Sequence, residues 1–137
     1  MKITELSQVS ITKIGHLYKN GVKIEPHEES TARFLLKYGF IIDVIKPQNT
    51  PKIHNPDFLI NGVIWETKSP EGKSRNTIER KFHEASSQAA NLILDLRRIK
   101  RPPMIAEKEA IKEFEKSSRI KHMMLITKNK KLLDYHK

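Results

Sequence analysis

Asn61-Gly62 falls between two apolar, β-prone runs, Pro56-Asp57-Phe58-Leu59-Ile60 and Val63-Ile64-Trp65-Glu66-Thr67-Lys68. Such a pair is the strongest short-range signal for a two-residue type I′ hairpin, because both turn residues tolerate positive φ. Counting outward from the turn sets Ile60 opposite Val63, Leu59 opposite Ile64, Phe58 opposite Trp65 and Asp57 opposite Glu66. Alternation then places Asp57, Leu59, Ile64, Glu66 and Lys68 on one face, and Phe58, Ile60, Val63, Trp65 and Thr67 on the other. Two carboxylates directly across a ladder lie roughly 4.5–5.5 Å apart, where like charges destabilise a sheet. A hard divalent cation would offset that cost, since such ions take oxygen ligands from carboxylates, phosphate and water. Lys68 projects from the same face as Glu66. Two acids and a lysine at one point form a candidate phosphodiester-cleaving site. The bland alternative is a solvated face with an ion pair worth under about 1 kcal/mol. Against it, the opposite face is wholly apolar, and Leu59 and Ile64 extend apolar character onto the charged face near the turn. The hairpin is therefore expected in mid-sheet, covered on both sides, where unpaired charge is costly.

The 137 residues suffice for one domain with a real core. No apolar run approaches the roughly 18 residues of a membrane span, and Met1-Lys2-Ile3-Thr4-Glu5 lacks the apolar stretch of a secretory signal. The absence of cysteine excludes disulfides, thiolate nucleophiles and cysteine zinc sites. Twenty-six basic against sixteen acidic residues give a net charge of +10. A small domain this basic is suited to a polyanion, with nucleic acid ahead of a membrane surface.

Residues 1–22 read as a small N-terminal β arm, with short strands at Ile11–Gly15 and Leu17-Tyr18 and an Asn20-Gly21 turn leading into Val22-Lys23-Ile24. Residues 23–137 read as the main domain. Pro26 opens a helix, Glu28 and Glu29 suit its first turn, and Gly39 stops it. Glu28 points to the buried side of that helix and Glu29 to the flank, near Arg33. Phe40–Ile45 is a strand and Lys46–Pro51 a loop. After the hairpin, Asn76 with Glu79 forms an N-cap pair for a helix whose inner face is Ile78, Phe82, Ala85 and Ala89. A strand spans Leu92–Arg98 and a third helix about Ala106 to Ser117, with Ile111 and Phe114 inward. A strand at His122–Lys128 turns at Asn129-Lys130 into Leu132–Tyr135. The expected class is α/β (α+β), a mixed sheet flanked by helices, with a parallel crossover between the hairpin and Leu92–Leu96.

Other side chains carry weaker signals. Arg97, Arg98 and Arg101 suit bidentate contact with phosphates, and Lys73 and Lys128 extend the basic surface; each equally suits a solvated loop or strand end. Asp95 is placed to pair with Arg97. Trp65 is a core residue by alternation. His27, His54 and His83 lie nearest the proposed site without metal-ligand spacing, which leaves open a His–Lys acid–base pair in a metal-free ribonuclease.

The order of elements, with Pro56-Asp57 and Glu66-Thr67-Lys68, resembles the PD-(D/E)XK nuclease superfamily, and Glu28 (or Glu29) matches its first-helix acid. The fuller string resembles one branch: His27-Glu28, Thr31-Ala32, Pro56-Asp57-Phe58, Trp65 to Pro70, Asn76-Thr77-Ile78 and Asp95 to Arg98 are similar to the C-terminal nuclease domain of contact-dependent growth inhibition toxins (CdiA type). That resemblance covers about residues 24–135. It implies an αβββαβ restriction-endonuclease-like core with an extra C-terminal α-β-β. It further implies a metal-dependent ribonuclease acting on tRNA, with catalytic Glu28, Asp57, Glu66 and Lys68. The cation would be held by Asp57, Glu66, the Thr67 carbonyl and Glu28, with Mg²⁺ as first choice and Mn²⁺ or Zn²⁺ as alternatives. An acidic immunity protein is the implied partner, cytoplasmic RNA the implied target, and a larger secreted effector the implied carrier; no membrane partner is expected. The alternatives are a DNA endonuclease of the same fold and a non-catalytic nucleic-acid-binding module.

Overall fold

The Asn61-Gly62 turn forms as its residue types require, with φ of 51° and 78°. The computed structural model describes residues 1–8, 13–45 and 58–137. Strands β1 (Lys2–Glu5), β2 (His16–Tyr18), β3 (Ile41–Val44), β4 (Phe58–Ile60), β5 (Val63–Lys68), β6 (Asn91–Asp95), β7 (His122–Ile126) and β8 (Leu132–His136) join one sheet in the order β1-β8-β7-β6-β5-β4-β3-β2. Helices α1 (Pro26–Leu36), α2 (Thr77–Ser86) and α3 (Pro103–Lys116) connect parallel neighbours. The hairpin register is Phe58↔Trp65, Leu59↔Ile64 and Ile60↔Val63, as counted from the turn. A mixed sheet flanked by helices, with α3, β7 and β8 added after an αβββαβ order, is the expected fold class.

The sheet separates two cores. Ile93, Met124, Ile126, Phe58, Ile60 and Trp65 face α1 through Ala32, Phe34, Leu35 and Leu36. Leu92, Leu94, Met123, Leu125 and Tyr135 face α2 and α3 through Ile78, Phe82, Ala85, Ala106, Ala110 and Phe114. Fully burying one such aliphatic side chain contributes about 1.5–3 kcal/mol, so strands β6 and β7, apolar on both faces, anchor the molecule. The cover stops short of the hairpin tip, where Val63 and Ile64 are exposed. The expectation of cover on both sides holds for Trp65, Glu66 and Thr67 and fails at the turn.

The first 22 residues follow their reading in part: the strand expected at Leu17-Tyr18 is β2, while Lys13–Gly15 is not a strand. Residues Lys2–Glu5 form a strand antiparallel to β8, and β2 runs parallel to β3, so the arm supplies both edges of the sheet. The turn at Asn20-Gly21 is real, with positive φ at both residues. It does not start a hairpin, because Val22–Ile24 is not a strand; the Asn20 side chain instead donates to the Val44 carbonyl at 3.2 Å. Ile11 and Thr12, the Lys46–Pro51 loop, His54 and the Pro56-Asp57 pair lie outside the described residues.

Helix ends explain two further shifts. The third helix begins at Pro103, the first helical position, where the missing N–H has no partner to lose. Asn76 occupies the N-cap of α2 but makes no side-chain cap bond. The capping box belongs to α1, between Glu25 and Glu28. Gly39, at φ 86°, ends α1 as expected, its N–H donating to the Leu36 carbonyl at 3.1 Å.

Candidate active site

Strand pairing fixes which way each site residue points. Glu66 lies beside Leu92 and Lys68 beside Leu94, the strand positions that face α2 and α3, whereas Thr67 lies beside Ile93 on the α1 face. Glu66 is buried, at 2% exposure. The Lys68 ammonium lies 3.4 Å from Glu66 Oε1 and 3.3 Å from Glu84 Oε2 of α2. With the Gln88 amide turned so that its nitrogen faces β5, that nitrogen donates to both Glu66 oxygens at 2.8 and 2.9 Å. An acid and a lysine two residues apart on a strand thus meet Glu84 of α2 and Gln88, in the turn just past the end of that helix. Burial pushes the Glu84 carboxyl up, but Lys68 and Lys81 more than reverse this and hold it below its ordinary value. A cleft of about 420 Å³ opens beside this group, lined by Ser69, Glu71, Thr77, Arg80, Lys81, Glu84 and Arg98.

Of the two candidate acids of α1, Glu28 is the one on the inner side. It is buried, and its Oε1 accepts the Glu25 N–H at 2.8 Å while Oε2 has no hydrogen-bond partner among the described residues. Glu29 lies on the flank, paired with Lys19 and with Arg33 at 3.0 Å. Hydrogen bonds to these two cations, Lys19 first, hold its carboxyl below the ordinary value. Since α1 packs on the Thr67 face, Glu28 belongs to the helix layer opposite the one that Glu66 and Lys68 face. The Thr67 hydroxyl is likewise buried without a partner among the described residues. Asp57 lies outside the described residues, and among them no group of three His, Asp or Glu side chains converges as a metal site would require.

The expected phosphate-binding residues are largely committed within the molecule. Arg97 grips Asp95 with Nε at 3.0 Å and Nη2 at 2.7 Å, reaches Ser30 Oγ, and covers the Phe34 ring. Asp95 also accepts from Thr31 Oγ1 at 2.6 Å, so the Asp95–Arg97 pairing read from the sequence ties α1 to the end of β6. Arg98 binds Ser69 and Glu71. Arg101 makes a two-point contact with Glu109 at 2.6 and 2.8 Å and donates to the Lys73 carbonyl. Lys128 donates to the carbonyls of Ile99 and Arg101. The Lys73 side chain is exposed. Glu84 and Gln88 carry no sequence signal, because their place over β5 depends on how α2 docks. The sequence also gave no sign of the His122–Asp134 contact at 2.6 Å, between rings of Trp65 and His136.

Residues 54–132, more than half of the chain, match the contact-dependent growth inhibition CdiA C-terminal domain. The chain belongs to that family. Its members are growth-inhibiting toxin domains, commonly nucleases, at the C-terminal end of a larger secreted effector. The fold is similar to that of a CdiA-CT/CdiI toxin and immunity complex from Burkholderia pseudomallei, with a TM-score of 0.65 and 20% identity over 88% of this chain and 98% of that one. A comparison with curated proteins gives no match. No helix among the described residues is long and apolar enough to cross a membrane.

Proposed function

We propose that this toxin domain is a metal-dependent endonuclease of PD-(D/E)XK type that cleaves RNA, with tRNA as its target. The observation that carries the reading is the buried Glu66 with Lys68 at 3.4 Å, held against α2 at the edge of an open cleft. A buried carboxylate and ammonium are costly to maintain for stability alone. The donors on that side are all oxygen: Glu66, the Thr67 carbonyl, and Asp57 from the adjoining sequence; Glu28, in the opposite helix layer, would not share that ion directly. Such donors suit a hard ion, Mg²⁺ or Mn²⁺ before Zn²⁺. The ion would lower the pKa of a bound water and neutralise charge on the scissile phosphate.

The chain's own part is orientation. Gln88 donates to both Glu66 oxygens and so helps hold the carboxylate in place. Glu66 and Glu84, the latter lining the cleft, flank the Lys68 ammonium, whose third proton would serve a phosphate oxygen or the attacking water. Lys68 is only 12% exposed, so few waters compete for it. The net charge of +10 draws the polyanion in. It also suits an acidic immunity protein as inhibitor, in keeping with the fold's likeness to a toxin from such a complex. Delivery within a larger effector would place the domain in the target cell's cytoplasm.

The test is incubation of the purified protein with total RNA and with plasmid, in Mg²⁺ and in EDTA. Discrete tRNA fragments that need the metal are the expected result. Cutting that persists in EDTA would contradict the cation site, and plasmid cutting with intact RNA would turn the reading to a DNA endonuclease.

A further inference from the structure

Glu84 Oε2 is shared between two cations, 3.3 Å from the Lys68 ammonium and 3.4 Å from that of Lys81. The Glu84 side chain is 48% exposed, so it reaches this bridging position from the solvent side. In the adjoining cleft Arg80 adds a further cation, and Thr77 lines the wall with a buried hydroxyl that has no hydrogen-bond partner among the described residues. We infer that the Lys68–Lys81 pair is a binding subsite for one phosphodiester group of the substrate strand, and that the Glu84 carboxylate is its built-in competitor. The inference deepens the nuclease reading and rests on it for the identity of the ligand.

Two ammonium groups converging on one point define an anion site irrespective of which anion fills it. A carboxylate oxygen and a non-bridging phosphate oxygen place similar charge at similar distance from an ammonium donor. Glu84 is tethered to a helix surface and half in water, so it can swing out while both lysines remain. Lys81 is itself on α2, one turn before Ala85, and needs no movement of the backbone to keep its place. A phosphate between Lys68 and Lys81 would share the Lys68 ammonium with Glu66.

The test is a fluorescence-anisotropy titration of a 2′-O-methyl RNA oligonucleotide in EDTA, with wild type, Glu84→Gln, Lys81→Gln, the double variant, and Glu115→Gln as the same charge change on α3. Glu84→Gln is expected to tighten binding by about threefold to tenfold and to steepen the salt dependence by about 0.7, one further phosphate contact on a single strand. Lys81→Gln is expected to weaken binding and to abolish the gain from Glu84→Gln. Unchanged or weaker binding by Glu84→Gln in protein that melts like wild type would overturn the inference. So would an equal gain from Glu115→Gln, or a gain that survives Lys81→Gln. The titration reads binding without cleavage. Tightening in a protein that cuts no RNA would uphold the subsite and remove the nuclease, whereas cleavage with a flat Glu84→Gln titration would do the reverse.

Discussion

Both faces of the sheet bury an acid beside a cation, and the two pairs are built differently. On the α1 face Asp95, 1% exposed, accepts from Thr31, from the Arg97 backbone and from the Arg97 guanidinium, which is itself covered by Phe34. Every partner comes from the folded chain, and the group closes on itself. On the α2 face Glu66 is equally buried, but Lys68 passes from it to a half-exposed Glu84 at a cleft. A closed pair fixes one element against another. An open pair keeps charge at a surface that a ligand can reach, and that difference, rather than burial, separates a structural acid from a working one.

Four changes would break or sharpen the contrast. Glu66→Gln keeps the shape of the open pair and removes its charge. RNA cleavage is expected to fall about 10²–10⁴-fold in single-turnover assays, with the melting curve nearly unmoved. Asp95→Ala strands the Arg97 guanidinium and should cost about 3–5 kcal/mol of stability in urea unfolding, while the protein that remains folded cleaves at the wild-type rate. Tyr135, buried beneath the α2/α3 face, has its hydroxyl pushed up to about 12 by burial, with Glu107 adding to the effect. Its neutral form is favoured by folding, so its contribution is complete below pH 10 and is lost as pH rises from 10 to 12, about 2–3 kcal/mol in all. Tyr135→Phe should flatten that part of the alkaline unfolding profile. The smallest effect belongs to Glu84. Its lowered carboxyl adds stability above about pH 4.5, the ordinary value, and loses it as pH falls through the depressed one. Comparison of acid unfolding profiles should show a slightly shallower slope for Glu84→Gln.

The parts of the molecule governed by local chemistry were legible. Asn61-Gly62 set the register of β4 and β5 because a two-residue turn leaves no freedom in the count. Gly39 ended α1, and Asp95 met Arg97 two residues on. The edge strands were legible only in part: Leu17-Tyr18 reads as a strand, though not its parallel pairing with β3, and Lys2–Glu5 alternates weakly and is only partly covered. The basic residues misled for a related reason. A guanidinium suited to phosphate is equally suited to a carboxylate, and Arg101 found Glu109 eight residues away, across a helix start that composition does not reveal. Glu84 and Gln88 carry no signal of their own, since an acid on a helix surface and an amide in the turn after it acquire meaning only when β5 lies beneath them.

The most direct test of the account is a paired measurement of tRNA cleavage and thermal unfolding for wild type, Lys68→Ala and Asp95→Ala in Mg²⁺. The account predicts that Lys68→Ala, though it melts earlier because Glu66 loses its cation, fails to cleave while still folded, whereas Asp95→Ala melts early and cleaves normally below its transition. Normal cleavage by folded Lys68→Ala, or loss of cleavage by Asp95→Ala while still folded, would contradict it and move the chemistry to the α1 face.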